Sequence, residues 1–325
     1  MQPDRKVRDS MKMFEWYMKK VLIILSILCC GSVFSLYAQR TYAFVERDST
    51  LLLDVYQPTE SNGYTVVHVF SGGFITGSRA TQWDAAYCRQ LAAAGYTAVA
   101  IDYRLGLKGV GNVGIGNLQA LENAFYIAVE DCSAAIRWLV ENASETGIDP
   151  QKIILEGSSA GAIAVLMTDY SRCNQLPYTS ALPADWVPAG VVAYSGAIYS
   201  KQGKVRWEKA QPAPTLLFHG TADRIVNYKQ LQFGKLGLFG ANALAKRFKK
   251  YNLPYCIYRY TDLGHEISIG GPLTVDELNL FVKQYITDGR RMHTDITTKD
   301  DAYQPSEFSH KTVRDLYDKK NRKDL

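Results

Sequence analysis

Apolar runs alternate with amphipathic segments along most of the chain, and this alternation predicts its elements. Short stretches rich in β-branched and apolar residues predict strands at 51–56, 65–70, 97–103, 152–156, 191–194, 215–219 and 257–260. Longer segments predict helices at 85–94, 131–142, 160–170 and 278–286. Strands that alternate with helices favour an α/β fold, with a mostly parallel central sheet covered by helices on both faces.

Three stretches depart from this rhythm. Residues 106–117 and 229–242 alternate glycine with other residues, and connections of this length are usually binding loops or disordered segments. Residues 289–325 carry nine Lys/Arg and seven Asp/Glu with few apolar side chains, which predicts a charged, solvated tail. The sequence therefore predicts one large domain over residues 39–288, followed by a tail over 289–325.

The N-terminal segment has the pattern of a signal peptide. A pair of lysines precedes an apolar run over residues 21–34, and the small residue Ala38 follows it. Met18 stands directly before the lysines, which suggests that translation starts there. The alternative is an uncleaved membrane anchor, but the run is shorter than the roughly 20 residues that a spanning helix needs. We expect residues 1–38 to be a signal peptide, cleaved near Ala38/Gln39, and the mature protein to be exported without a stable membrane span.

Charge and cysteine content exclude two classes of protein. The formal net charge is +5, and six Lys/Arg against three Asp/Glu in the first 38 residues supply most of it. The remainder is nearly neutral, so no basic face for nucleic acid is predicted. Four widely spaced cysteines follow the signal segment, which disfavours a zinc site. Export permits disulfides but the spacing fixes no pairing, and buried free thiols are the alternative for Cys88, Cys132, Cys173 and Cys256.

Residues 157–161 read G-S-S-A-G, a G-x-S-x-G motif centred on Ser159. The motif alone is a weak signal, because an ordinary glycine turn has the same composition. Its context strengthens it, since an apolar strand leads in and a helix leads out. That arrangement places Ser159 on a sharp turn at the positive end of a helix, as a nucleophile requires. The neighbouring Ser158 is the rival serine, but it falls on a variable position of the motif.

A second glycine-rich segment, F-S-G-G-F at residues 70–74, follows the predicted strand residues 65–69. Acyl transfer builds negative charge on a carbonyl oxygen, and preorganised backbone N–H groups stabilise it. The N–H groups of Gly72, Gly73 and Ala160 are the candidates for such an oxyanion hole. A tight strand–helix turn is the alternative interpretation of these glycines.

Two further side chains complete a possible triad. Asp223 ends the sequence H-G-T-A-D at a predicted strand end, where the functional loops of α/β sheets gather. Of the five histidines, His265 alone stands in a post-strand loop after this acid. The order serine, acid, histidine along the chain is that of hydrolases with a strand–turn–helix nucleophile. Asp262 and Glu266 are the competing acids beside His265.

Together these motifs resemble the α/β-hydrolase superfamily over residues 41–288, and within it the hormone-sensitive-lipase-like and feruloyl/acetyl-esterase-like branches. Residues 70–78 are similar to the HGGGFxxGS block of those families, and residues 101–105, 149–153 and 219–223 are similar to their other recurrent motifs. Phe70 replaces the usual histidine and Ser71 the first glycine, so the subfamily and its substrate stay open.

The resemblance implies a serine carboxylesterase with Ser159 as nucleophile, His265 as base and Asp223 as the orienting acid, and without a cofactor or metal. By analogy its substrates are small-molecule or glycan-linked esters, such as the acetyl or feruloyl esters of plant polysaccharide. Two alternatives stay open, a serine exopeptidase of the prolyl-oligopeptidase type and a catalytically inactive hydrolase fold that acts as a binding module. The oligomeric state stays open.

Overall fold

The computed structural model describes residues 39–47, 49–110, 117–299, 311–312 and 315. Its strands are β1 Gln39–Glu46, β2 Thr50–Tyr56, β3 Thr65–Val69, β4 Thr97–Ile101, β5 Ile153–Ser158, β6 Gly190–Tyr194, β7 Ala197–Ser200, β8 Thr215–Gly220, β9 Gln230–Phe233, β10 Leu236–Gly240, β11 Tyr255–Tyr260 and β12 His293–Thr298. Its α-helices are α1 Gln82–Ala93, α2 Leu118–Glu141, α3 Ala143–Thr146, α4 Ala160–Cys173, α5 Ala241–Lys250 and α6 Val275–Phe281. A π-helical turn, Val282–Thr287, continues α6. Within the described residues, 3₁₀ turns lie at Pro150–Lys152, Pro177–Thr179, His265–Ile269 and Gly271–Leu273.

Within these ranges a nine-stranded sheet has the order β1-β2-β4-β3-β5-β6-β8-β11-β12. The pairs β1·β2 and β2·β4 are antiparallel, and every later pair is parallel. Strands β3, β4, β5, β6 and β8 are buried at every position, which requires cover on both faces of the sheet. The predicted α/β fold with a mostly parallel central sheet is confirmed.

The long helix α2 begins 13 residues earlier than the sequence pattern predicts, at Leu118 rather than at residue 131. Phe125, Val129, Cys132 and Ile136 lie on its buried face. They follow helical spacing, and the segment contains no glycine or proline to interrupt it. The added turns cover residues 118–130, which the sequence pattern leaves unassigned, so the helix follows the glycine-rich stretch 106–117 directly. Residues 111–116 of that stretch, like the expected signal peptide, lie outside the described residues.

The expected loop over 229–242 is wrong, because β9 and β10 form a hairpin there and β10 pairs with β7 in a second, three-stranded sheet. Its glycines serve the hairpin and its contacts. Gly234 has φ +59° in the turn. A Cβ on Gly240 would lie 2.0 Å from the carbonyl oxygen of Asn227. The alternation of glycine and apolar residues therefore reflects a tight turn and close backbone contact.

The prediction of a solvated tail from residue 289 is wrong for β12, which pairs in parallel with β11 and extends the main sheet. Tyr255 donates a hydrogen bond to Asp295 over 2.7 Å, and Arg259 donates to the same carboxylate over 2.9 Å. No residue of β12 is fully buried, so the strand carries almost no apolar signal. Its pairing with β11 and its polar contacts hold it at the sheet edge.

The four cysteines of the domain are buried free thiols. No described helix has the length and hydropathy needed to cross a membrane.

Candidate active site

Ser159 lies at the sharp turn between β5 and α4, with φ 51° and ψ −108°. Its N–H donates to the carbonyl oxygen of Tyr194 on the neighbouring strand β6 over 2.9 Å. Both motif glycines are required sterically. A Cβ on Gly157 would lie 2.4 Å from the backbone of Gly161, and one on Gly161 would lie 1.9 Å from the carbonyl oxygen of Val69. The strained turn is thus fixed by close packing between β5, α4 and the end of β3.

His265 opens the 3₁₀ turn that follows β11, and its ring reaches back to Ser159. The Oγ of Ser159 lies 2.7 Å from Nε2 of His265, and Nδ1 of the same ring lies 2.8 Å from Oδ2 of Asp223. The carboxylate accepts the Nδ1–H, which leaves Nε2 to accept the serine proton. Parallel strands end at one edge of the sheet, so the loops after β5, β8 and β11 converge there.

Asp223 is held from both sides of its carboxylate. Oδ1 accepts hydrogen bonds from the backbone N–H groups of Ile225 and Val226, at 2.9 and 3.0 Å, while Oδ2 faces His265. Burial opposes the ionised form, but the neighbouring imidazole of His265 and the hydrogen bonds outweigh it and hold the pKa of Asp223 well below its usual range. The acid is therefore an anion throughout the neutral range.

The two competing carboxylates are engaged elsewhere. Asp262 is exposed and sits in a turn with φ 63°, where its N–H donates to Oγ1 of Thr221 over 3.0 Å. Oε1 of Glu266 accepts the N–H of Gly264 over 2.8 Å, across the turn that carries His265. The geometry favours Asp223 as the partner of the histidine, since it alone of the three comes from a separate strand end.

The glycine-rich loop after β3 runs beside the elbow, the sharp turn between β5 and α4 that carries Ser159, because the end of β3 contacts Gly161 of α4. Gly72, Gly73 and Phe74 are consecutive residues with positive φ, at 122°, 62° and 62°. A Cβ on Gly72 would lie 1.9 Å from the carbonyl oxygen of Thr76, so only glycine fits. Ala160 is the first residue of α4, where backbone N–H groups have no acceptor within the helix.

Phe70 occupies the position where the families that this sequence resembles have histidine, and it anchors the glycine-rich loop through its contacts with Tyr103. Its ring stacks on Tyr103 with centroids 4.3 Å apart, and the Tyr103 hydroxyl donates to the Phe70 carbonyl oxygen over 3.1 Å. The substitution therefore replaces a polar side chain with a buried aromatic contact and leaves the two glycines in place.

Two residues make supporting contacts that the sequence analysis does not predict. Nε2 of His219 lies 2.9 Å from the carbonyl oxygen of Val226 and 3.3 Å from Oδ2 of Asp223. Ser158 donates a short hydrogen bond to the carbonyl oxygen of Ser268, which joins the elbow to the turn of His265. The only signal for His219 was its place in the H-G-T-A-D motif, and Ser158 had none.

A second histidine–carboxylate cluster lies inside the sheet. Nδ1 of His68 on β3 is 2.5 Å from Oε2 of Glu156 on β5, and its Nε2 is 2.8 Å from Oδ1 of Asp84 on α1. Burial opposes the charged ring, but the two carboxylates outweigh it and raise the pKa of His68 to about 10. Among the described residues, no group of three or more His, Cys, Asp and Glu has an arrangement that could hold a metal ion.

Comparison with known proteins gives a consistent result. A family model described as BD-FAE matches residues 53–182. The arylesterase of Saccharolobus solfataricus is 35% identical over 138 residues, which cover 42% of this chain and 40% of that protein. The carboxylesterase NlhH of Mycobacterium tuberculosis is 32% identical over 121 residues, which cover 36% of this chain and 33% of that protein. The chain thus spans 40% or less of the length of these two curated relatives.

Among solved structures, the esterase Est2 of Thermogutta terrifontis is similar over 75% of this chain and 91% of its own, with a TM-score of 0.54 and 22% sequence identity. This likeness shows the fold. The chain has the α/β-hydrolase fold, and its sequence resembles the carboxylesterase branch of that superfamily.

Proposed function

We propose that this protein is a serine carboxylesterase that hydrolyses esters through an acyl-enzyme. The observation that carries the proposal is the continuous chain of hydrogen bonds from Ser159 through His265 to Asp223, built on a strained elbow at the carboxyl edge of the sheet. The similarity to an arylesterase and to a carboxylesterase supports the reaction class.

The geometry supports the following sequence of steps. His265 takes the proton of Ser159 through Nε2 while Oγ attacks the ester carbonyl carbon. Asp223 holds the other ring nitrogen and stabilises the imidazolium that forms. The tetrahedral intermediate collapses, His265 gives its proton to the departing alkoxide, and the alcohol leaves. Water then attacks the acyl-enzyme with His265 as base again, which releases the acid and restores the Ser159 hydroxyl.

The backbone N–H groups of Gly72, Gly73 and Ala160 are proposed to stabilise the oxyanion. The positive φ values at Gly72 and Gly73 support this role, since such a conformation turns successive peptide groups toward a common side. The position of Ala160 at the start of α4 adds the favourable end of the helix dipole. Removing one donor of this kind typically costs about 100- to 1000-fold in turnover.

The substrates are proposed to be small-molecule or glycan-linked esters, with acetyl or feruloyl esters of plant polysaccharide as the specific candidates. The resemblance of residues 70–78 and 219–223 to feruloyl/acetyl-esterase motifs supports this class.

Export is proposed from the lysine pair and the apolar run before Ala38, and N-terminal sequencing of secreted protein should find Gln39 as the first residue. Intact protein confined to the cytoplasm would contradict export.

The test combines a covalent probe with a panel of substrates. Est2 of Thermogutta terrifontis is phosphorylated by paraoxon, so an organophosphorus probe is suitable for this fold. The wild type should bind a fluorophosphonate at Ser159 and hydrolyse short acyl or feruloyl esters, and Ser159→Ala should do neither. Turnover of aminoacyl amides instead would favour the exopeptidase. Failure of the wild type to react with the probe and with every ester would favour the binding module.

A further inference from the structure

His219 is a buried side chain that the proposed mechanism does not use. It is the penultimate residue of β8, four positions before Asp223, and none of its surface is exposed. Nε2 lies 2.9 Å from the carbonyl oxygen of Val226 and 3.3 Å from Oδ2 of Asp223. Burial of an imidazole costs free energy, so its placement beside the carboxylate of Asp223 suggests a role for the contact between them.

The partners of Nε2 fix where its proton lies. A carbonyl oxygen only accepts, so Nε2 of His219 must be the donor toward Val226, and the same Nε2 lies 3.3 Å from Oδ2 of Asp223. Nδ1 has no hydrogen-bond partner among the described residues, so Nε2–H is the donor that the ring offers to its surroundings. The ring edge also packs against Tyr228, with centroids 5.5 Å apart. The ring is therefore locked by its neighbours in one orientation.

This contact completes the coordination of the acid. Oδ1 of Asp223 accepts two backbone N–H groups, and Oδ2 accepts one N–H from His265 and faces a second from His219. The hydrogen bond to Val226 also ties down the loop whose N–H groups hold Oδ1. One side chain thus supports both oxygens of the carboxylate, one directly and one through the loop.

We propose that His219 is a positioning residue of the triad, which fixes Asp223 toward His265 and limits the basicity of its carboxylate. The inference rests on the proposed esterase function. A carboxylate that shares its charge with more donors is a weaker proton acceptor. Loss of the His219 donor should therefore leave Asp223 mobile and more basic, which strengthens its hold on the proton of the imidazolium.

Other charged groups near His219 bear on any pH effect. Arg259 occupies the neighbouring register position on β11, and its guanidinium donates to the hydroxyl of Tyr228. Asp295 on β12 neutralises that guanidinium. Glu266 lies in the turn of His265. These groups stay in place in variants of His219, so a shift in the pH profile reports the changed contact with Asp223.

The test uses three substitutions in the full chain. His219→Phe keeps a ring in the cavity and removes the N–H donor. His219→Val also removes the donor, with a smaller, β-branched side chain that suits a buried strand. His219→Gln keeps an N–H donor within reach of the same acceptors. Turnover and KM for a short acyl ester are measured against pH, with active sites counted by fluorophosphonate titration so that misfolded protein does not contribute.

We expect the Phe and Val variants to lose about 10- to 100-fold in kcat with little change in KM, since a hydrogen bond to a charged group has been removed. The acidic limb of the profile should move to higher pH, because a more basic Asp223 keeps His265 protonated. The Gln variant should recover most of the turnover and the wild-type profile. If Phe does not fold, Val decides the result.

A merely structural role is the competing outcome. It would lower thermal stability and the number of active sites, but the titrated enzyme would keep the wild-type profile and kcat, and that result would overturn the proposal. Failure of the esterase proposal is detected separately, by a wild type that reacts with no probe or ester. In that case the downfield ¹H NMR resonance of the proton between Nδ1 of His265 and Asp223 can still be measured. A changed chemical shift in His219→Phe would show that the contact is altered.

Discussion

Two buried histidines, His68 within β3 and His265 in the turn after β11, contact carboxylates, and the difference between them distinguishes the candidate active site from a structural cluster. His68 has an acid on each ring nitrogen, Glu156 at 2.5 Å and Asp84 at 2.8 Å. His265 has one acid and one hydroxyl, so Nε2 stays available to accept a proton. A ring between two carboxylates is held as a cation, whereas a ring between a carboxylate and a serine can take up and return a proton.

Their places in the fold differ in the same sense. His68 lies within β3 and is wholly buried, where it links β3 to β5 and α1. His265 is 7% exposed and lies in a turn beyond the end of β11. Strand interiors are surrounded by neighbours on all sides, while loops beyond strand ends can admit a ligand. The comparison predicts that changes in the first cluster affect stability and changes in the second affect turnover.

The largest expected effect is that of Asp223→Asn. An asparagine would favour the wrong tautomer of His265 and would not stabilise its imidazolium, so turnover should fall about 1000-fold or more. The matched change in the other cluster, Asp84→Asn, should leave kcat per titrated active site close to that of the wild type. Steady-state kinetics on a short acyl ester measure both.

The competing acids provide the controls for that assignment. Asp262→Asn and Glu266→Gln should each lose much less turnover, because the first is exposed and the second holds the N–H of Gly264. If Asp262→Asn were the most damaging of the three, the role of the acid would pass to Asp262, while Ser159 and His265 would keep theirs.

His68→Leu should lower stability rather than turnover. It leaves Glu156 and Asp84 buried without the cation between them, which should lower the free energy of unfolding by about 3–5 kcal/mol. Denaturant unfolding measures the loss, and turnover per titrated site should change little. His293→Gln, on the exposed edge strand β12, is the control and should stay within about 0.5 kcal/mol of the wild type. A similarly small effect of His68→Leu would show that the cluster is not coupled by charge.

The sequence analysis predicts the residues of the candidate active site but not the cluster around His68, and the reason is physical. Ser159 and its flanking glycines form a local strand–turn–helix pattern. The five-residue motif at 157–161 is enough to predict it, because the turn requires glycine on both sides of the serine. His265 and Asp223 follow from strand ends and chain order. The tie between His68 and Glu156 joins residues 88 positions apart, and nothing local to either marks the partner. Such pairings depend on strand order in the folded sheet.

The same distinction explains the errors in the fold. Strands such as β6 are wholly apolar at their centres, and their ends agree with the sequence prediction to within two residues. The strand β12 reads H-T-D-I-T-T, with no fully buried position, and its place depends on the neighbouring β11 and on Asp295 contacts. In β9 and β10, alternating glycine suggested a loop where the structure has a hairpin. Core strands are evident in the sequence, while edge strands depend on partners.

The pH dependence of stability should also separate the clusters. The pKa of His68 is raised from 6.5 to about 10 on folding, so its stabilisation is fully present below about pH 6.5 and is lost as pH rises toward 10. The loss proceeds at up to about 1.4 kcal/mol per pH unit. Burial also raises the pKa of Tyr87 and of Cys88, which adds to alkaline destabilisation. The difference between wild-type and His68→Leu unfolding curves isolates the contribution of His68.

Asp223 should behave in the reverse way. Its pKa lies well below the ordinary value of 3.8, so its stabilisation is present above about pH 4 and is lost on acidification. Unfolding measured below pH 4 should show a smaller acid dependence in Asp223→Asn than in the wild type. Equal acid slopes in the two proteins would indicate that the carboxylate gains nothing from its contacts on folding.

The smallest expected effect concerns Ser158, which stands between Glu156 of one cluster and Ser159 of the other. Its buried hydroxyl donates to the carbonyl oxygen of Ser268 and so joins β5 to the turn that carries His265. Ser158→Ala leaves that carbonyl without its donor, which should cost about 1–3 kcal/mol of stability and about tenfold in turnover as the turn loosens. Ser171→Ala is the matched control, because the Ser171 hydroxyl is buried in α4 and has no hydrogen-bond partner among the described residues. Thermal unfolding and kcat of both variants decide the matter. If the two variants had the same stability and the same kcat, the hydrogen bond of Ser158 would not contribute to the position of His265, and the contacts of the His265 ring alone would fix it.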